Sequence, residues 1–190
     1  MKGVKIFLAD GFEDIEALAV CDILRRGGVE VKLISVGDSA RVRSSHGVEV
    51  TPDGHLGDVD RSTEGTCADD VMIFPGGMPG SSTLASCAVL TDMMKAHYEA
   101  GGTVAAICAA PGLVLSRLDG LQGVKFTCFD GFEDRLQAKG AEFTPVPYVV
   151  CGRIITGRSA GHAPAFGLAI LEYLRGEKVA SEVRHALYLD

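Results

Sequence analysis

The sequence feature that most constrains the fold is the segment 103–118, which reads TVAAICAAPGLVLSRL. Its first part, residues 103–107, is an uninterrupted apolar run of the length expected for one buried strand. Its second part carries apolar residues at helical spacing up to Leu118. Pro111 falls in the first helical turn, where a missing N–H group costs nothing. We therefore predict a buried strand that turns directly into a helix ending near residue 118.

Cys108 lies at the junction between this strand and this helix. The first amide groups of the helix and the positive end of its dipole point toward such a position. That setting is expected to lower the pKa of a thiol. The arrangement resembles the nucleophile elbow of hydrolases, with cysteine in place of serine. The alternative is an unreactive core cysteine, since free cysteines are often packed inside proteins.

The rest of the chain alternates between strands and helices. The predicted strands cover residues 4–9, 29–36, 71–74, 103–107, 124–128, 148–150 and 153–156. The predicted helices cover residues 13–26, 91–100, 111–118, 132–138, 163–175 and 179–186. Residues 40–56 alternate around Ser-Ser-His-Gly and predict a small hairpin off the main sheet, and residues 57–70 are expected to form a surface loop. We predict an α/β fold with residues 1–190 as a single domain, a three-layer α/β/α sandwich with a flavodoxin-like, mostly parallel sheet.

Composition excludes several classes of protein. A hydrophobic content of 47% and a charged content of 23% are typical of an ordinary globular domain. The net charge is −7 and basic runs are absent, which argues against nucleic acid and anionic membranes as partners. The N-terminus lacks a signal-peptide pattern and apolar segments are too short to span a membrane, so we expect a cytoplasmic protein. The six cysteines and five histidines lack metal-ligand spacing, and nucleotide-binding glycine motifs are missing, so we expect no metal and no cofactor.

Four predicted loops leave the carboxyl ends of strands, where open α/β sheets bind their ligands. They cover residues 10–16, 75–80, 108–109 and 157–162. Their convergence would bring together a thiol, a carboxylate, a Gly-Gly turn and a histidine. That set suits addition to an electrophilic carbon with proton transfer nearby.

Acidic residues begin the first helix, next to one of these loops. Acids are stabilised at a helix N-terminus by the dipole, so Glu13 and Asp14 are interpreted as capping residues. Glu16 lies one turn further in among apolar neighbours, where a capping role is less natural. His162 is either a residue that only begins its helix or a titratable group that reaches the Cys108 pocket.

Several segments together resemble a known family: ADGFEDIEAL, DILRRGG, SSHGVEVTPD, VMIFPGGMPGS, AAICAAPGLVL, IITGR and FGLAILEYLRGEKVASEV. They keep their order and spacing from residue 5 almost to the C-terminus. AAICAAP together with EDIE and the Pro-Gly-Gly turn is specific, whereas each motif alone is weak. The sequence resembles the DJ-1/ThiJ/PfpI superfamily, and specifically its DJ-1/ThiJ branch.

The resemblance implies a set of site residues and an assembly. Cys108 matches the family's reactive, oxidation-prone cysteine, and Glu16 matches the glutamate that hydrogen-bonds to it and is thought to be protonated. Gly77 and Ala109 match the backbone donors that line the site. The family fold is an α/β sandwich that usually forms a homodimer, here expected to pair through the first helix and the nearby hairpin, around residues 16–26 and 43–50.

The resemblance also implies a choice of activities. Members are described as glutathione-independent glyoxalases, as protein or nucleotide deglycases, and as redox-regulated chaperones, and older names refer to thiazole monophosphate biosynthesis and to proteolysis. We expect a glyoxalase or deglycase that uses Cys108 on methylglyoxal-type dicarbonyls, a small reactive carbonyl or a glycated substrate. The alternative needs the same residues and is an oxidative-stress sensor and chaperone that uses oxidation of Cys108.

The sequence departs from the family pattern at four positions that bear on activity, substrate choice and the dimer. Ala109 stands where protease-like members carry a histidine, so we expect no peptidase activity. Phe129 falls where some members have a pocket histidine, and His162 falls where close relatives have a small hydroxyl residue. These two changes leave the choice of substrate open. Arginine is typical at the place of His46, so one contact of the expected dimer is predicted to be weaker.

Overall fold

Residues 1–189 are described in the computed structural model of the protein, and they alternate between strands and helices as the sequence predicts. The strands are β1 Val4–Leu8, β2 Val31–Ser35, β3 Val42–Arg43, β4 Glu49–Val50, β5 Gly54–His55, β6 Val71–Phe74, β7 Thr103–Ile107, β8 Lys125–Phe126, β9 Glu142–Phe143, β10 Tyr148–Cys151 and β11 Ile154–Gly157. The α-helices are α1 Asp14–Arg26, α2 Gly80–Ser86, α3 Ala88–Glu99, α4 Ala110–Leu113, α5 Asp134–Gln137, α6 Ala163–Arg175 and α7 Glu177–Ala186. Short 3₁₀ turns cover Leu56–Asp58, Leu115–Arg117 and Ala160–His162. Within residues 1–189, every helix is too short or too polar to cross a membrane.

Seven strands form the main sheet, in the order β10-β11-β7-β6-β1-β2-β5. Neighbouring strands are parallel except β10 and β11, which pair antiparallel at one edge. Parallel sheets are covered on both faces, so their strands are apolar throughout. Every residue of the inner strands β6 and β7 is buried. This confirms the predicted mostly parallel α/β sheet.

Successive side chains of β1 pack into two separate hydrophobic clusters, one on each face of the sheet. Ile6 and Leu8 belong to the cluster covered by α1, α6 and α7, and Phe7 belongs to the cluster under α2, α3 and α4. In the second cluster the rings of Phe7 and Phe74 stack with their centroids 5.6 Å apart. The result is the three-layer α/β/α sandwich that the sequence predicts.

The predicted hairpin off the main sheet consists of β3 and β4, which pair antiparallel. Backbone hydrogen bonds join it to the loop before α1. The amide of Gly11 donates to the carbonyl of Arg43, and the amide of Ser45 donates to the carbonyl of Phe12, both at 2.8 Å. The hairpin therefore holds the chain that leads into α1.

Several elements differ from the prediction. Residues 80–86, expected in the loop after the Pro-Gly-Gly turn, form α2. The strands β5 and β9 were not predicted, because two residues are too few to show a periodic pattern. The helix expected up to residue 118 ends at Leu113 and continues as a 3₁₀ turn. There the hydroxyl of Ser116 donates to the carbonyl of Leu113 at 3.3 Å, a kind of bond that competes with regular helix.

Candidate active site

Loops at the carboxyl ends of four strands meet around one pocket of about 450 Å³. They follow β1, β6, β7 and β11, which end at the same edge of the sheet. The convergence that the sequence predicts is therefore present. A fifth segment follows β8 and adds Phe129 and Phe132 to the wall. The family resemblance indicated the first of these, whereas no motif indicated the second.

Cys108 follows β7 with its backbone in the left-handed region, at a φ of 65°. A positive φ is uncommon outside glycine and is found at functional sites, where neighbouring structure enforces it. The amide of Cys108 donates to the carbonyl of Gly157 at 3.0 Å, and its carbonyl accepts from the amide of Phe129 at 2.9 Å. Two neighbouring segments thus fix the predicted elbow.

Glu16 lies in the first turn of α1 with 1% of its surface exposed. Its Oε2 accepts a hydrogen bond from the amide of Gly76 at 2.7 Å. Its Oε1 is buried and makes no hydrogen bond of regular geometry with any described residue. The side chain that interacts with the carboxyl group is the Cys108 thiol. One oxygen of this buried carboxyl group is therefore without a hydrogen-bond partner among the described residues.

The Pro-Gly-Gly turn permits this close approach. A Cβ on Gly76 would lie 2.6 Å from the Cβ of Cys108 and would also overlap Oε2 of Glu16. Gly77 has a φ of 87°, and a Cβ there would overlap the backbone of the loop before α1. Both positions therefore require glycine. The sequence indicated Gly77 through the resemblance, but the donor role of Gly76 toward Glu16 was not predicted.

Burial controls the protonation of the buried pair. It raises the pKa of Glu16 to about 7, because the carboxylate loses water and the hydrogen bonds with Cys108 and Gly76 only partly compensate. Burial also raises the pKa of Cys108 to about 12, and the charge of Glu16 and its hydrogen bond add to the effect. The amides of Ala109 and Gly77 act in the opposite direction by stabilising negative sulfur.

The prediction of a lowered thiol pKa for Cys108 is therefore wrong. The helix that follows, α4, has four residues, so its dipole is small. Burial and a neighbouring carboxylate both favour the neutral thiol. The contributions from Glu16 vanish once that carboxyl takes up a proton. Protonation of Glu16 therefore removes one of the two causes that oppose formation of the Cys108 thiolate, and burial remains.

The other acids at the start of α1 have structural partners. Glu13 is the N-cap, since its side chain accepts from the amide of Glu16 at 2.8 Å, and it also lines the pocket. Asp14 accepts from the hydroxyl of Ser44 and pairs with Nδ1 of His46 at 2.8 Å. One group of side chains within residues 1–189 has ligand atoms close enough together to hold a metal ion. It consists of Glu13, Asp14 and His46, whose ligand atoms lie within 4.8 Å of one another. Exposed acidic groups often have this spacing, and the expectation of no metal stays a prediction.

His162 stands at the N-cap of α6, outside the pocket wall. Its Nδ1 pairs with the hydroxyl of Ser159 at 2.8 Å. The wall next to it is formed by residues 159–161. Of the two interpretations left open by the sequence, the structure favours a histidine that begins a helix and positions Ser159.

A larger cavity of about 520 Å³ lies beside the carboxyl ends of β1 and β2. It contains the half-buried Cys87 and the exposed Asp10, whose carboxylate accepts from the amide of Arg43 at 2.8 Å. The Cys108 pocket differs because its acid is buried against its thiol. We therefore take the Cys108 pocket as the candidate active site.

The chain is similar in sequence to a known family and to curated proteins. The sequence profile of the DJ-1/PfpI family matches residues 2–173. Protein DJ-1 homolog A of Arabidopsis thaliana is 36% identical over 188 residues, which are 99% of this chain and 47% of that protein. Glutathione-independent glyoxalase DJR-1.2 of Caenorhabditis elegans is 33% identical over 177 residues, which are 93% of this chain and 90% of that protein. The chain thus spans less than half the length of the plant relative.

Solved structures have the same fold. The crystal structure of Drosophila melanogaster DJ-1beta superposes with a TM-score of 0.87 at 29% identity, covering 98% of this chain and 97% of the other. Oxidized DJ-1 of Toxoplasma gondii superposes with a TM-score of 0.83 at 31% identity, covering 99% and 98%. With a profile match over most of its length and relatives that share both sequence and fold, the chain belongs to the DJ-1/PfpI family.

Proposed function

We propose that the protein is a cysteine-dependent, glutathione-independent glyoxalase or deglycase that acts on methylglyoxal-type 2-oxoaldehydes or their early adducts. The observation that carries the proposal is the buried pair of Glu16 and Cys108, in which a carboxyl group with a pKa of about 7 lies against a thiol. Such a carboxyl gives and takes protons at neutral pH. The similarity to a relative named as a glutathione-independent glyoxalase supports the same conclusion.

In the first step the sulfur of Cys108 attacks the aldehyde carbon. The thiol proton passes to the Glu16 carboxylate, and the carbonyl electron pair moves onto oxygen. That oxygen takes the proton back, which gives a hemithioacetal. The amides of Gly77 and Ala109 stabilise negative charge on the sulfur. We assign them the role of stabilising the negative charge that develops in this step.

In the second step Glu16 moves a proton between the two neighbouring carbons. It removes the proton from the hemithioacetal carbon and returns one to the former ketone carbon through an enediol. One carbon is oxidised to a thioester while the other is reduced to an alcohol, so an external oxidant is not needed. Water then cleaves the thioester, releasing a 2-hydroxy acid and the free thiol of Cys108. For an early adduct, the sulfur of Cys108 replaces the amine or thiol on the aldehyde carbon, and Glu16 passes the thiol proton to that leaving group.

We infer that the protein is not a peptidase. Peptide cleavage by a cysteine needs a base that activates the sulfur and protonates the leaving amine. Ala109 directly follows Cys108, and the described residues that line the pocket include no histidine. Casein cleavage that disappears in Cys108→Ala would contradict this inference.

A second candidate is a redox-sensing chaperone of the oxidative-stress response. A peroxide would oxidise Cys108 to the sulfenic and then the sulfinic acid. Protonated Glu16 would donate a hydrogen bond to the oxidised sulfur, and the amides of Gly77 and Ala109 would hold its charge. The likeness to a solved DJ-1 in an oxidized form supports keeping this candidate.

The proposal includes a homodimer in the cytoplasm. Ile15 on α1 and Val48 in the hairpin are large apolar residues with 52% and 46% of their surfaces exposed. The hairpin is bonded to the loop before α1, so both belong to one face that a second copy would cover. A reducing compartment would keep Cys108 in the thiol form that the reaction requires.

Conversion of methylglyoxal to lactate by the purified protein, without glutathione, tests the proposed reaction. We expect Cys108→Ser and Glu16→Gln each to lower turnover by at least about 100-fold, the usual effect of removing a nucleophile or a general acid–base. Cys87→Ser is the matched control, because it removes a thiol outside the pocket. If the wild type forms no more lactate than Cys108→Ser, the enzyme proposal fails. Peroxide-dependent suppression of aggregation that needs Cys108 would then favour the chaperone.

A further inference from the structure

We propose that the Cys108 pocket selects 2-oxoaldehydes whose second substituent is apolar and as large as a phenyl ring, and that Phe129 makes this selection. The inference rests on the proposed function and names the substrate class of the same site.

Phe129 is held next to the reacting sulfur by the backbone. Its amide donates to the carbonyl of Cys108 at 2.9 Å, so the ring is attached to the elbow that carries the thiol. The side chain lines the pocket and keeps 47% of its surface exposed. A large apolar side chain left open in a pocket gains contact area when an apolar group binds beside it.

Phe132 contacts the ring of Phe129 and connects it to the hydrophobic core. Its amide donates to the carbonyl of Phe129 at 3.2 Å, and the two rings meet edge to face with centroids 6.4 Å apart. Phe132 itself packs against the hydrophobic cluster under α2, α3 and α4. Its carbonyl lies directly against Gly112 of α4, where a side chain would collide with it. The aromatic wall is therefore anchored to the core.

The polar side chains of the wall outside the reacting pair already have partners. The Glu13 carboxylate accepts from the amide of Glu16, and the hydroxyl of Ser159 is paired with Nδ1 of His162, both at 2.8 Å. The side chains that remain for the substituent are apolar, namely those of Met78, Ala109, Phe129, Phe132 and Ala160. Hydroxyl groups on a sugar-derived substituent would lose water against these apolar side chains without gaining hydrogen bonds from them, which is unfavourable.

The pocket is also large for the simplest substrate. Its volume of about 450 Å³ lies in the range of pockets that enclose drug-sized ligands, whereas methylglyoxal carries a single methyl group. A phenyl group in place of that methyl would bury its ring against Phe129. Burial of one aromatic ring corresponds to a gain of roughly 10- to 100-fold in kcat/KM. Phenylglyoxal would follow the proposed reaction, with oxidation of its aldehyde carbon, reduction of its ketone carbon and addition of water to give mandelate.

The test compares two substrates in three proteins. The ratio of kcat/KM for phenylglyoxal, followed as mandelate, to that for methylglyoxal, followed as lactate, is measured for the wild type, Phe129→Ala and Tyr188→Ala. A ratio taken within one protein cancels any loss that affects both substrates. We expect the ratio to fall at least about tenfold in Phe129→Ala. It should not change in Tyr188→Ala, which removes an exposed aromatic ring outside the pocket.

Thermal unfolding checks that the variants are folded, and Phe129→Leu replaces Phe129→Ala if the latter is not. The leucine variant keeps an apolar side chain and loses the ring, so its ratio should fall between those of the wild type and the alanine variant. Equal ratios in the wild type and the Phe129 variant, with both substrates consumed, overturn this inference and leave the proposed function intact. If the wild type consumes neither substrate faster than Cys108→Ser, the proposed function fails and this inference fails with it.

Discussion

The backbone amide of Gly76 donates a hydrogen bond of 2.7 Å to Oε2 of Glu16. This bond joins the turn after β6 to the first turn of α1, two parts of the chain that are distant in sequence. It occupies one carboxyl oxygen, Oε2, and leaves the other, Oε1, without a hydrogen-bond partner among the described residues. The geometry of the proposed acid–base group therefore depends on a residue that has no side chain.

Gly76→Ala tests this dependence. The new methyl group would overlap the Glu16 carboxyl and the Cys108 side chain, so we expect a loss of about 1–3 kcal/mol in the free energy of unfolding. We also expect methylglyoxal turnover to fall at least about tenfold, since small displacements of catalytic groups have large effects. Gly57→Ala is the control, because no described atom lies within 4 Å of the added carbon. Wild-type turnover in Gly76→Ala would show that the carboxyl does not need this placement.

The raised pKa of Glu16 predicts how stability depends on pH. Burial raises this pKa from 4.5 to about 7, so between these values the folded protein binds more protons than the unfolded chain. Stability contributed by this group is therefore highest at acidic pH and falls as the pH rises through this window. The full shift corresponds to about 3 kcal/mol at pH 8. The glutamine side chain of Glu16→Gln cannot ionise. In urea unfolding at pH 8, the free energy of unfolding of this variant should therefore rise relative to that of the wild type by up to this amount.

At pH 5 the same comparison should show a much smaller difference, because Glu16 is then protonated in the folded wild type. Glu30→Gln is the matched control, since the Glu30 side chain is 85% exposed and lies outside the pocket. A gain for Glu16→Gln that is equal at both pH values would mean that ionisation of the buried carboxyl is not its cause.

Local sequence signals singled out Cys108 and Glu16 and predicted the layers of the fold, whereas the role expected of Glu16 came from the family resemblance. Cys108 is marked by an apolar run that ends in a helical pattern, and Glu16 by an acid placed beyond the capping positions. Apolar runs that alternate with amphipathic helices predicted the parallel sheet, because strands joined through helices pair in parallel. The helix α2 was missed because residues 80–86, GSSTLAS, are mostly small and polar and show no apolar period.

Properties that depend on long-range contacts were not predictable in this way. The sign of the thiol pKa shift is set by burial and by a carboxylate from another helix, neither of which is visible around Cys108. The donor role of Gly76 depends on α1 lying over the turn, and the support of Phe129 by Phe132 depends on where the segment after β8 packs. These contacts are products of the fold rather than of local patterns.

A charge in the exposed apolar face should weaken the proposed dimer. Val48→Glu places a carboxylate in the hairpin where the two copies would meet, and burying it without a partner is unfavourable. Sedimentation at micromolar concentration should show the wild type at twice the chain mass of 19.9 kDa and the variant shifted toward one chain. Val89→Glu is the control, because Val89 is 43% exposed but lies on α3. A wild type that sediments only as a single chain would refute the dimer.

His162→Thr should leave the pH dependence of turnover in place. The imidazole pairs with Ser159 and is not part of the pocket wall, so it does not exchange protons with the substrate in the proposed reaction. We expect kcat/KM for methylglyoxal to keep its dependence on a group with a pKa of about 7, assigned to Glu16. A midpoint displaced by one pH unit or more in the variant would instead give His162 a part in proton transfer.

Glu16→Gln should separate the reactivity of the thiol from turnover. The charge of Glu16 helps to raise the pKa of Cys108, and an amide side chain removes that charge while it still can donate a hydrogen bond to sulfur. We therefore expect alkylation of Cys108 by limiting iodoacetamide at pH 8 to be faster in Glu16→Gln by about tenfold or more, since an adjacent charge shifts a pKa by about 1–3 units.

Labelling is mapped by mass spectrometry and compared with the exposed Cys67, which serves as an internal reference. Lactate formation should be lost in the same variant, because the amide cannot move protons between carbons. If alkylation of Cys108 relative to Cys67 slows together with turnover, removal of the thiol proton by Glu16 matters more for reactivity than the charge of Glu16, and the expected gain in thiol reactivity is wrong.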